Sequence, residues 1–216
     1  MRGMRSDKQW KGFTLVELLV SMTILIIITV AVATDISISR QQEELASNAR
    51  YLQSMLRDVQ SQAQSAVSLN TCDNGAFIAI CEFDTSNCGA GTCDTQIVPS
   101  AQGIRLSTTH QDHVFHFAEV DPLLENRQYD ENETVLQNVM QTARANINTV
   151  EVTRLTIGST DYDTVDVTFG RQSGAMEIIA DTGATGNTLE IELTHRETGS
   201  LEVISLNRLT GRITIN

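Results

Sequence analysis

Residues 34–67 contain neither proline nor glycine, and no lysine occurs after residue 11. Because proline and glycine are the residues that most often end a helix, their absence allows one helix to run through this stretch. The chain also lacks the usual signatures of catalysis, since it has no Gly-x-Ser-x-Gly, no His-Glu-x-x-His and no phosphate-binding loop. We therefore expect that the protein is not an enzyme.

Charge is divided unevenly along the 216 residues. Residues 1–12 contain four basic side chains and one acidic one, a net charge of +3, whereas the remainder contains 11 arginines and 26 acidic residues, a net charge of −15. A basic segment before an apolar span stays on the cytoplasmic side of a membrane, so the rest of the chain is expected to face outward. The length suits one anchoring helix and one globular domain.

A long apolar run extends from Phe13 to Ala33 and contains one ionisable side chain, Glu17. A helix needs about 20 residues to cross the hydrocarbon core, and the run is long enough. An acidic side chain in a bilayer costs on the order of 2.5–3.5 kcal/mol, so Glu17 is expected to have a partner or a function. A secretory signal peptide and a plain signal anchor are the alternatives, but the first has a shorter apolar core and the second needs no Glu17.

The basic leader ending in Gly12, followed by Phe13, the Thr14-Leu15-Val16-Glu17-Leu18 segment and a long apolar helix, resembles the N-terminus of type IV pilins and type II secretion pseudopilins. In that family a prepilin peptidase cuts after the glycine and methylates the new N-terminal amine. The resemblance implies cleavage between Gly12 and Phe13 and N-methylation of Phe13. It also implies that Glu17, as the fifth mature residue, neutralises the N-terminal amine of a neighbouring subunit during assembly.

Beyond the apolar run, hydrophobic residues recur every three or four positions, which is the period of one helix face. This stripe consists of Leu45, Ala49, Leu52, Leu56, Val59, Ala63 and Val67. We expect one helix from about Phe13 to about Ser68, with a transmembrane half (13–34) and an amphipathic half (35–68) that packs on a sheet. Thr34 stands where many members of the resembled family have proline, which leaves the local helix geometry open.

All four cysteines lie between Asn70 and Pro99, in a segment expected to be rich in loops: they are Cys72, Cys81, Cys88 and Cys93. An outward-facing domain lies in an oxidising compartment, which favours two disulfides. Sequential pairing closes the shortest loops, but four cysteines allow three connectivities and the sequence does not choose among them. Metal binding is the alternative, although the paired Cys-x-x-Cys spacing of structural zinc sites is missing.

The remainder, residues 69–216, is predicted to be a β-rich globular domain, because short strand-like runs alternate with turn residues. Runs such as Val165–Phe169 alternate apolar and polar residues, as antiparallel strands with one wet face do. The predicted strands are 76–83, 103–107, 112–118, 149–157, 164–169, 175–180, 189–193, 201–206 and 212–215. Residues 133–144 are consistent with either a short helix or a strand plus loop. The fold class is therefore α+β, with a long N-terminal helix packed on an antiparallel sheet.

The C-terminal half carries a second, more diffuse resemblance. Residues 167–174, 189–193 and 204–213, which end in Gly211-Arg212 and a short strand, resemble the end of the GspH/FimT family. That family comprises the H-type minor pseudopilin of type II secretion and related minor type IV pilins. This resemblance implies a minor subunit with a large β-rich domain.

Metal and nucleic-acid sites find little support. Oxygen ligands suit calcium, and acidic residues occur near turns at Asp161, Asp163, Asp166 and Asp181. No EF-hand pattern accompanies them, so we expect no cofactor and keep calcium as the alternative. Three histidines spaced by three are interpreted as polar residues of a strand: His110, His113 and His116. A net charge of −15 repels phosphate, although convergence of Arg196, Arg208 and Arg212 would allow local DNA binding.

Together these patterns predict a minor pilin or pseudopilin of a type II secretion pseudopilus or a type IV pilus. The expected partners are other subunits, the prepilin peptidase, the inner membrane and secreted cargo. The expected topology is a single pass, with a cytoplasmic N-terminus and a periplasmic domain, before extraction into a filament. The alternatives are a major pilin of a long fibre, a DNA-uptake pilin and a membrane-anchored enzyme.

Overall fold

The computed structural model describes residues 14–73, 78–81, 93, 95–110, 113–120, 128, 134–139 and 149–216. Within these ranges the chain forms one α-helix, α1, from Leu15 to Ser65, followed by strands. The strands are β1 Leu69–Asp73, β2 Ile78–Ile80, β3 Thr95–Ile97, β4 Ala101–Ser107, β5 His113–Glu119, β6 Thr134–Val139, β7 Val150–Ile157, β8 Thr160–Tyr162, β9 Thr164–Gly170, β10 Met176–Ala180, β11 Thr188–His195, β12 Leu201–Asn207 and β13 Arg212–Ile215.

The strands form three sheets in which every described pair is antiparallel. Sheet A has the order β2-β1-β3, sheet B the order β10-β9-β4-β5-β6, and sheet C the order β13-β12-β11-β7-β8. Sheet C contains hairpins, such as β11–β12 with Ile191 opposite Ile204, and its neighbouring strands β7 and β11 are joined through strands of sheet B. Antiparallel neighbours need only short connections, which agrees with the turn residues spread through this half of the sequence. The α+β class with a long N-terminal helix is confirmed.

Contacts divide the chain into two compact units, Met1–Gln41 and Gln42–Asn216, and α1 contributes residues to both. In the first unit, residues Leu15–Val32 have a mean hydropathy of 2.7, and by length and composition this part of α1 could cross a membrane. Its large apolar side chains are exposed, for example Leu15 at 79% and Leu25 at 66%. Such exposure is typical of a segment whose apolar surroundings come from outside the chain.

The second unit has a continuous hydrophobic core made by α1 and both large sheets. The helix contributes the predicted stripe, including Leu52 and Leu56, which are completely buried. Sheet B contributes residues such as Ile104, and sheet C residues such as Ile191 and Leu206. Along β11 the apolar residues are buried while Glu190 is exposed, as expected for a strand with one face on the core.

Polar contacts also tie α1 to the second unit's sheets. The Gln53 side-chain amide donates to the carbonyl oxygen of Ile213 at 2.9 Å, beside the last strand. The backbone N–H of Gln172 donates to the carbonyl oxygen of Ala63 at 3.3 Å. These bonds satisfy groups that helix ends and edge strands otherwise leave unpaired.

The end of the helix corrects the prediction. The helix stops at Ser65 rather than near Ser68, and Val67 is 41% exposed instead of belonging to the core stripe. Val67 N–H donates to Gln62 O and Ala66 N–H to Ala63 O, which is the Schellman pattern, and Ala66 has a φ of +52°. The helical spacing of apolar residues in the sequence therefore extends to Val67, one residue beyond Ala66, where the backbone leaves the helix.

Most predicted strands are present with ends shifted by one or two residues, but three strands were missed. The segment around the cysteines was expected to be loop-rich, yet it contains β1 and β3 of sheet A. β8 was also missed because its three residues, Thr160–Tyr162, are too short to show alternation. The described part of the ambiguous segment 133–144 is a strand, β6, and not a helix.

Candidate functional site

The N-terminus of α1 is closed by its own side chains. Thr14 precedes the first helical residue, and its hydroxyl oxygen accepts the Glu17 backbone N–H at 3.2 Å. In return, Glu17 Oε2 accepts the Thr14 backbone N–H and the Thr14 hydroxyl, each at 3.3 Å. This reciprocal pair is a capping box, which satisfies backbone donors that a helix start leaves free.

The capping box places a carboxylate where the helix favours it. A helix N-terminus carries a partial positive charge, so Glu17 is stabilised there more than it would be in the middle of an apolar helix. Both hydrogen bonds that the Glu17 carboxylate accepts go to Oε2, and within the described residues Oε1 accepts none. The carboxylate thus caps its own helix through one oxygen, Oε2.

Hydroxyl side chains in the apolar half of α1 are satisfied within the helix. Ser21 donates to Leu18 O at 2.9 Å, and Thr29 donates to Leu25 O at 2.7 Å. In a membrane, polar groups must find partners inside the segment because lipid tails offer none. These hydroxyls therefore leave the apolar character of the segment intact.

The predicted processing residues, Gly12 and Phe13, lie outside the described residues. Cleavage between them, methylation of Phe13 and an assembly role for Glu17 stay predictions. The capping box was not anticipated, although its sequence signature, threonine followed three residues later by glutamate, is visible in Thr14-Leu15-Val16-Glu17.

The cysteines do not pair in sequence order. Cys81 forms a disulfide with Cys93, with a Cα–Cα distance of 5.9 Å, and Cys72 is disulfide-bonded as well. Cys88 lies outside the described residues. The sequential pairing of Cys72 with Cys81 is therefore wrong, because β1 and β2 place Cys72 opposite Ala79 rather than opposite a cysteine. Loop length alone does not decide which thiols the sheet register brings together.

The four acidic turn residues do not form one cluster. Asp166 is 2% exposed and accepts two hydrogen bonds from the Arg105 guanidinium, each 2.7 Å long. Asp161 pairs with Arg154 at 2.9 Å, and this pairing lowers the pKa of the Asp161 carboxyl. Across the described part of the chain, no group of three His, Cys, Asp or Glu side chains is placed to hold a metal ion.

His116 is a core residue of sheet B. It is 6% exposed, and its Nε2 lies 3.2 Å from the side-chain oxygen of Gln102, to which it donates. Burial lowers the pKa of His116 to about 4, and the nearby Asp58 charge opposes this only in part. The ring is therefore neutral at physiological pH, which fits the interpretation of a structural polar residue in a strand.

The three C-terminal arginines considered for DNA binding do not converge. Arg196 follows β11 and pairs with Glu151 at 2.6 Å. Arg208 and Arg212 flank the turn at the opposite end of β12. The seven residues of β12 span about 20 Å, which separates Arg196 from the other two. No basic patch results from these residues.

One known family matches the chain, at its N-terminus. Residues 11–33 match the family model described as the prokaryotic N-terminal methylation motif. This is a type IV pilin-like protein. No curated protein and no solved structure matches it. The motif implies prepilin peptidase processing and assembly with other pilin subunits.

The matched motif supports a type IV pilin or pseudopilin subunit. The matched residues contain Thr14 and Glu17, so the capping box lies inside the part of the sequence that carries the family motif. The apolar helix and the motif are together consistent with a membrane-anchored pilin.

Proposed function

We propose that this protein is a minor pilin or pseudopilin, built into a type II secretion pseudopilus or a type IV pilus through its N-terminal helix. The observation that supports this proposal is the capping box, in which Glu17 Oε2 accepts both bonds from Thr14 and, within the described residues, Oε1 accepts none. Phe13, whose amine is exposed by the predicted cleavage, is next to Thr14 in the sequence.

In the proposed assembly, Oε1 of Glu17 receives the positively charged amine of a neighbouring Phe13. The capping box holds the carboxylate at the helix start before assembly, so few rotamers are lost when the amine arrives. An ion pair in an apolar environment is stronger than in water because the dielectric constant is low. Neutralisation also removes the cost of an unpaired carboxylate among packed apolar helices.

The net charge supports a minor rather than a major subunit. After the predicted cleavage the chain carries 11 arginines and 26 acidic residues, a net charge of −15. A long fibre of identical copies would bring these domains together against their mutual repulsion. A subunit interspersed among different proteins avoids that repulsion. The resemblance of the C-terminal half to the GspH/FimT family supports the same conclusion.

DNA uptake and enzymatic activity are less well supported as functions. The described arginines Arg105, Arg154 and Arg196 are paired with carboxylates, which leaves fewer charges for phosphate. A gel-shift assay at low salt tests DNA binding directly. No observation on the described residues favours a catalytic site.

The test of the proposed function compares Glu17→Ala with Glu43→Ala in the producing cell. Glu43 is an exposed glutamate of the same helix, in the second unit, so it controls for the loss of one negative charge. We expect both variants to insert in the membrane and to lose the leader. Glu17→Ala should reach the sheared filament fraction at roughly one tenth of the wild-type level or less, as expected for loss of a desolvated ion pair.

Two measurements separate the steps. Extraction of membranes at high pH reports insertion, and the mass of the mature N-terminal peptide reports cleavage and methylation. Normal incorporation of the Glu17→Ala variant into filaments would contradict the role assigned to Glu17. A processed mass that does not begin at Phe13 would contradict the assigned cleavage site.

A further inference from the structure

A cleft of about 620 Å³ opens where sheets B and C come together in the second unit. Residues of β7 and β8, including Arg154 and Tyr162, form one wall. The other wall comes from the chain just beyond β4 and β10, with Thr108 and Asp181. The volume lies within the range of ligand-binding clefts in proteins, about 300–1,000 Å³.

Backbone hydrogen bonds hold the walls of the cleft. Thr108 N–H donates to Asp163 O at 2.9 Å, and Asp181 N–H donates to Thr164 O at 3.1 Å. Gly183, with a φ of +77°, closes the turn after β10 through a 2.8 Å bond to Ala180 O. The side chains of Asp163 and Asp181 therefore project from fixed backbone positions.

The charges in the cleft are not balanced. Asp161 is neutralised by Arg154 at 2.9 Å and also accepts the Thr156 hydroxyl at 2.7 Å. Within the described ranges, the Asp163 carboxylate accepts a single long bond, 3.4 Å, from the Thr108 hydroxyl. Among the described residues, the Asp181 carboxylate has neither an ion pair nor a hydrogen bond. Two acidic residues of the cleft lining, Asp163 and Asp181, thus have no cationic partner among the residues that the structure describes.

The uncharged part of the lining complements these two carboxylates. Tyr162 is half-buried and packs against the hydrophobic core, so its ring is held in the wall. An aromatic ring attracts a cation that approaches its face. Threonine hydroxyls, including those of Thr153 and Thr182, add hydrogen-bond acceptors. Carboxylates, an aromatic ring and hydroxyls together suit a guanidinium or ammonium group on an aliphatic stem.

We propose that this cleft receives a lysine or arginine side chain presented by a different protein. A second copy of this chain is disfavoured, since it would bring its own net charge of −15 against the same domain. The inference deepens the proposed function by naming the chemistry of the partner that the outward domain contacts. It does not depend on the role of Glu17, because the cleft lies entirely in the second unit.

The binding test uses the full mature chain in detergent micelles and records its backbone amide spectrum by NMR. The probes are N-acetyl-arginine amide and N-acetyl-lysine amide, with N-acetyl-glutamine amide as the neutral probe. We expect at least one basic probe to give saturable shifts at the amides of Tyr162 and Thr182. In the variant Asp163→Asn/Asp181→Asn, the affinity should fall roughly five-fold or more, as expected for partly exposed ion pairs.

The matched control is Glu43→Gln/Glu202→Gln, which removes two negative charges outside the cleft. It should bind the basic probes within two-fold of the wild type. The proposal is overturned by equal shifts with the neutral probe, by unchanged binding in the aspartate variant, or by an equal loss in the control. The two aspartates are exposed, so their substitution should leave the fold intact. A spectrum of the variant that matches the wild-type spectrum away from the cleft will show that the variant is folded.

A second experiment tests the identity of the occupant. A photo-crosslinking amino acid at Thr182, in the producing cell, should give an adduct with a different protein through a peptide that contains lysine or arginine. The adduct should disappear in the Asp163→Asn/Asp181→Asn background. An adduct between two copies of this chain would overturn the proposal. The role of Glu17 is tested separately, by filament incorporation of the Glu17→Ala variant, so failure of one proposal is distinguishable from failure of the other.

Discussion

His116 illustrates how a single buried side chain couples stability to pH. Its ring is neutral and bonded to Gln102, and burial places its pKa at about 4 against an ordinary value of 6.5. Because folding lowers this pKa, the stabilising contribution is complete above pH 6.5 and is lost as the pH falls toward 4. A difference of this size corresponds to roughly 3 kcal/mol in the free energy of unfolding.

We predict that His116→Gln removes this part of the pH dependence. Glutamine cannot be protonated, and its amide can still donate to Gln102. Urea unfolding of the wild type and the variant, at several values between pH 7 and pH 4, measures the difference. The stability gap should move in favour of the variant on acidification. A constant gap over this interval would mean that His116 is not buried in its neutral form.

Glu17 shows how a local role and the intermolecular role proposed for it can share one side chain. Residue spacing alone placed Glu17 as the one ionisable group in an apolar run. The capping geometry adds that Oε2 is already engaged by Thr14. Any partner from a neighbouring subunit is therefore expected at Oε1. The sequence pattern did not show that the two carboxylate oxygens of Glu17 would have different roles.

At the scale of elements, the end of α1 contains an unfavourable residue. Ala66 occupies the left-handed position of the Schellman motif, with a φ of +52°. An L-residue with a Cβ atom is strained there, whereas glycine is not. We predict that Ala66→Gly raises the free energy of unfolding by about 1 kcal/mol. Denaturant unfolding of the detergent-solubilised chain measures the change.

Ala46→Gly is the matched control for that change. Ala46 lies within α1, where glycine costs about 1 kcal/mol relative to alanine. The two identical substitutions should therefore shift stability in opposite directions. If Ala66→Gly destabilises the protein as Ala46→Gly does, the helix does not end in the conformation described.

Strand predictions succeeded where alternation was long enough to be seen. β11, with Leu189, Ile191 and Leu193 buried between polar neighbours, follows the predicted pattern closely. β8 and two strands of sheet A, β1 and β3, were missed because three to five residues give no clear period. Their pairing is decided by neighbouring strands and, in sheet A, by the Cys81–Cys93 link. Short strands are stabilised by context rather than by their own sequence.

At the scale of the whole molecule, the apolar residues of α1 serve two different environments. Leu56 is completely buried in the core of the second unit, whereas Leu25 is 66% exposed in the first. We predict that Leu56→Ala lowers the free energy of unfolding of the second unit by roughly 2–5 kcal/mol, because it leaves a cavity. Leu25→Ala should change that free energy by about 0.5 kcal/mol or less.

Hydrogen exchange of strand amides in detergent micelles measures both effects on the same chain. The core strands β9 and β11 report the second unit. Equal loss of protection in the two variants would contradict the division into two compact units. Loss only in Leu56→Ala would assign the stability of the β-rich unit to its own core.

By itself, the sequence determined the helix, the division of its residues into an apolar run and a core stripe, and the motif that marks a pilin-like chain. These follow from composition and period, which are local properties that each residue carries with it. Only the tertiary structure decided the partner of Cys81, the burial of Asp166 against Arg105 and the cleft beside Tyr162. Those features depend on which strands become neighbours, and that is determined by the packing of the whole core.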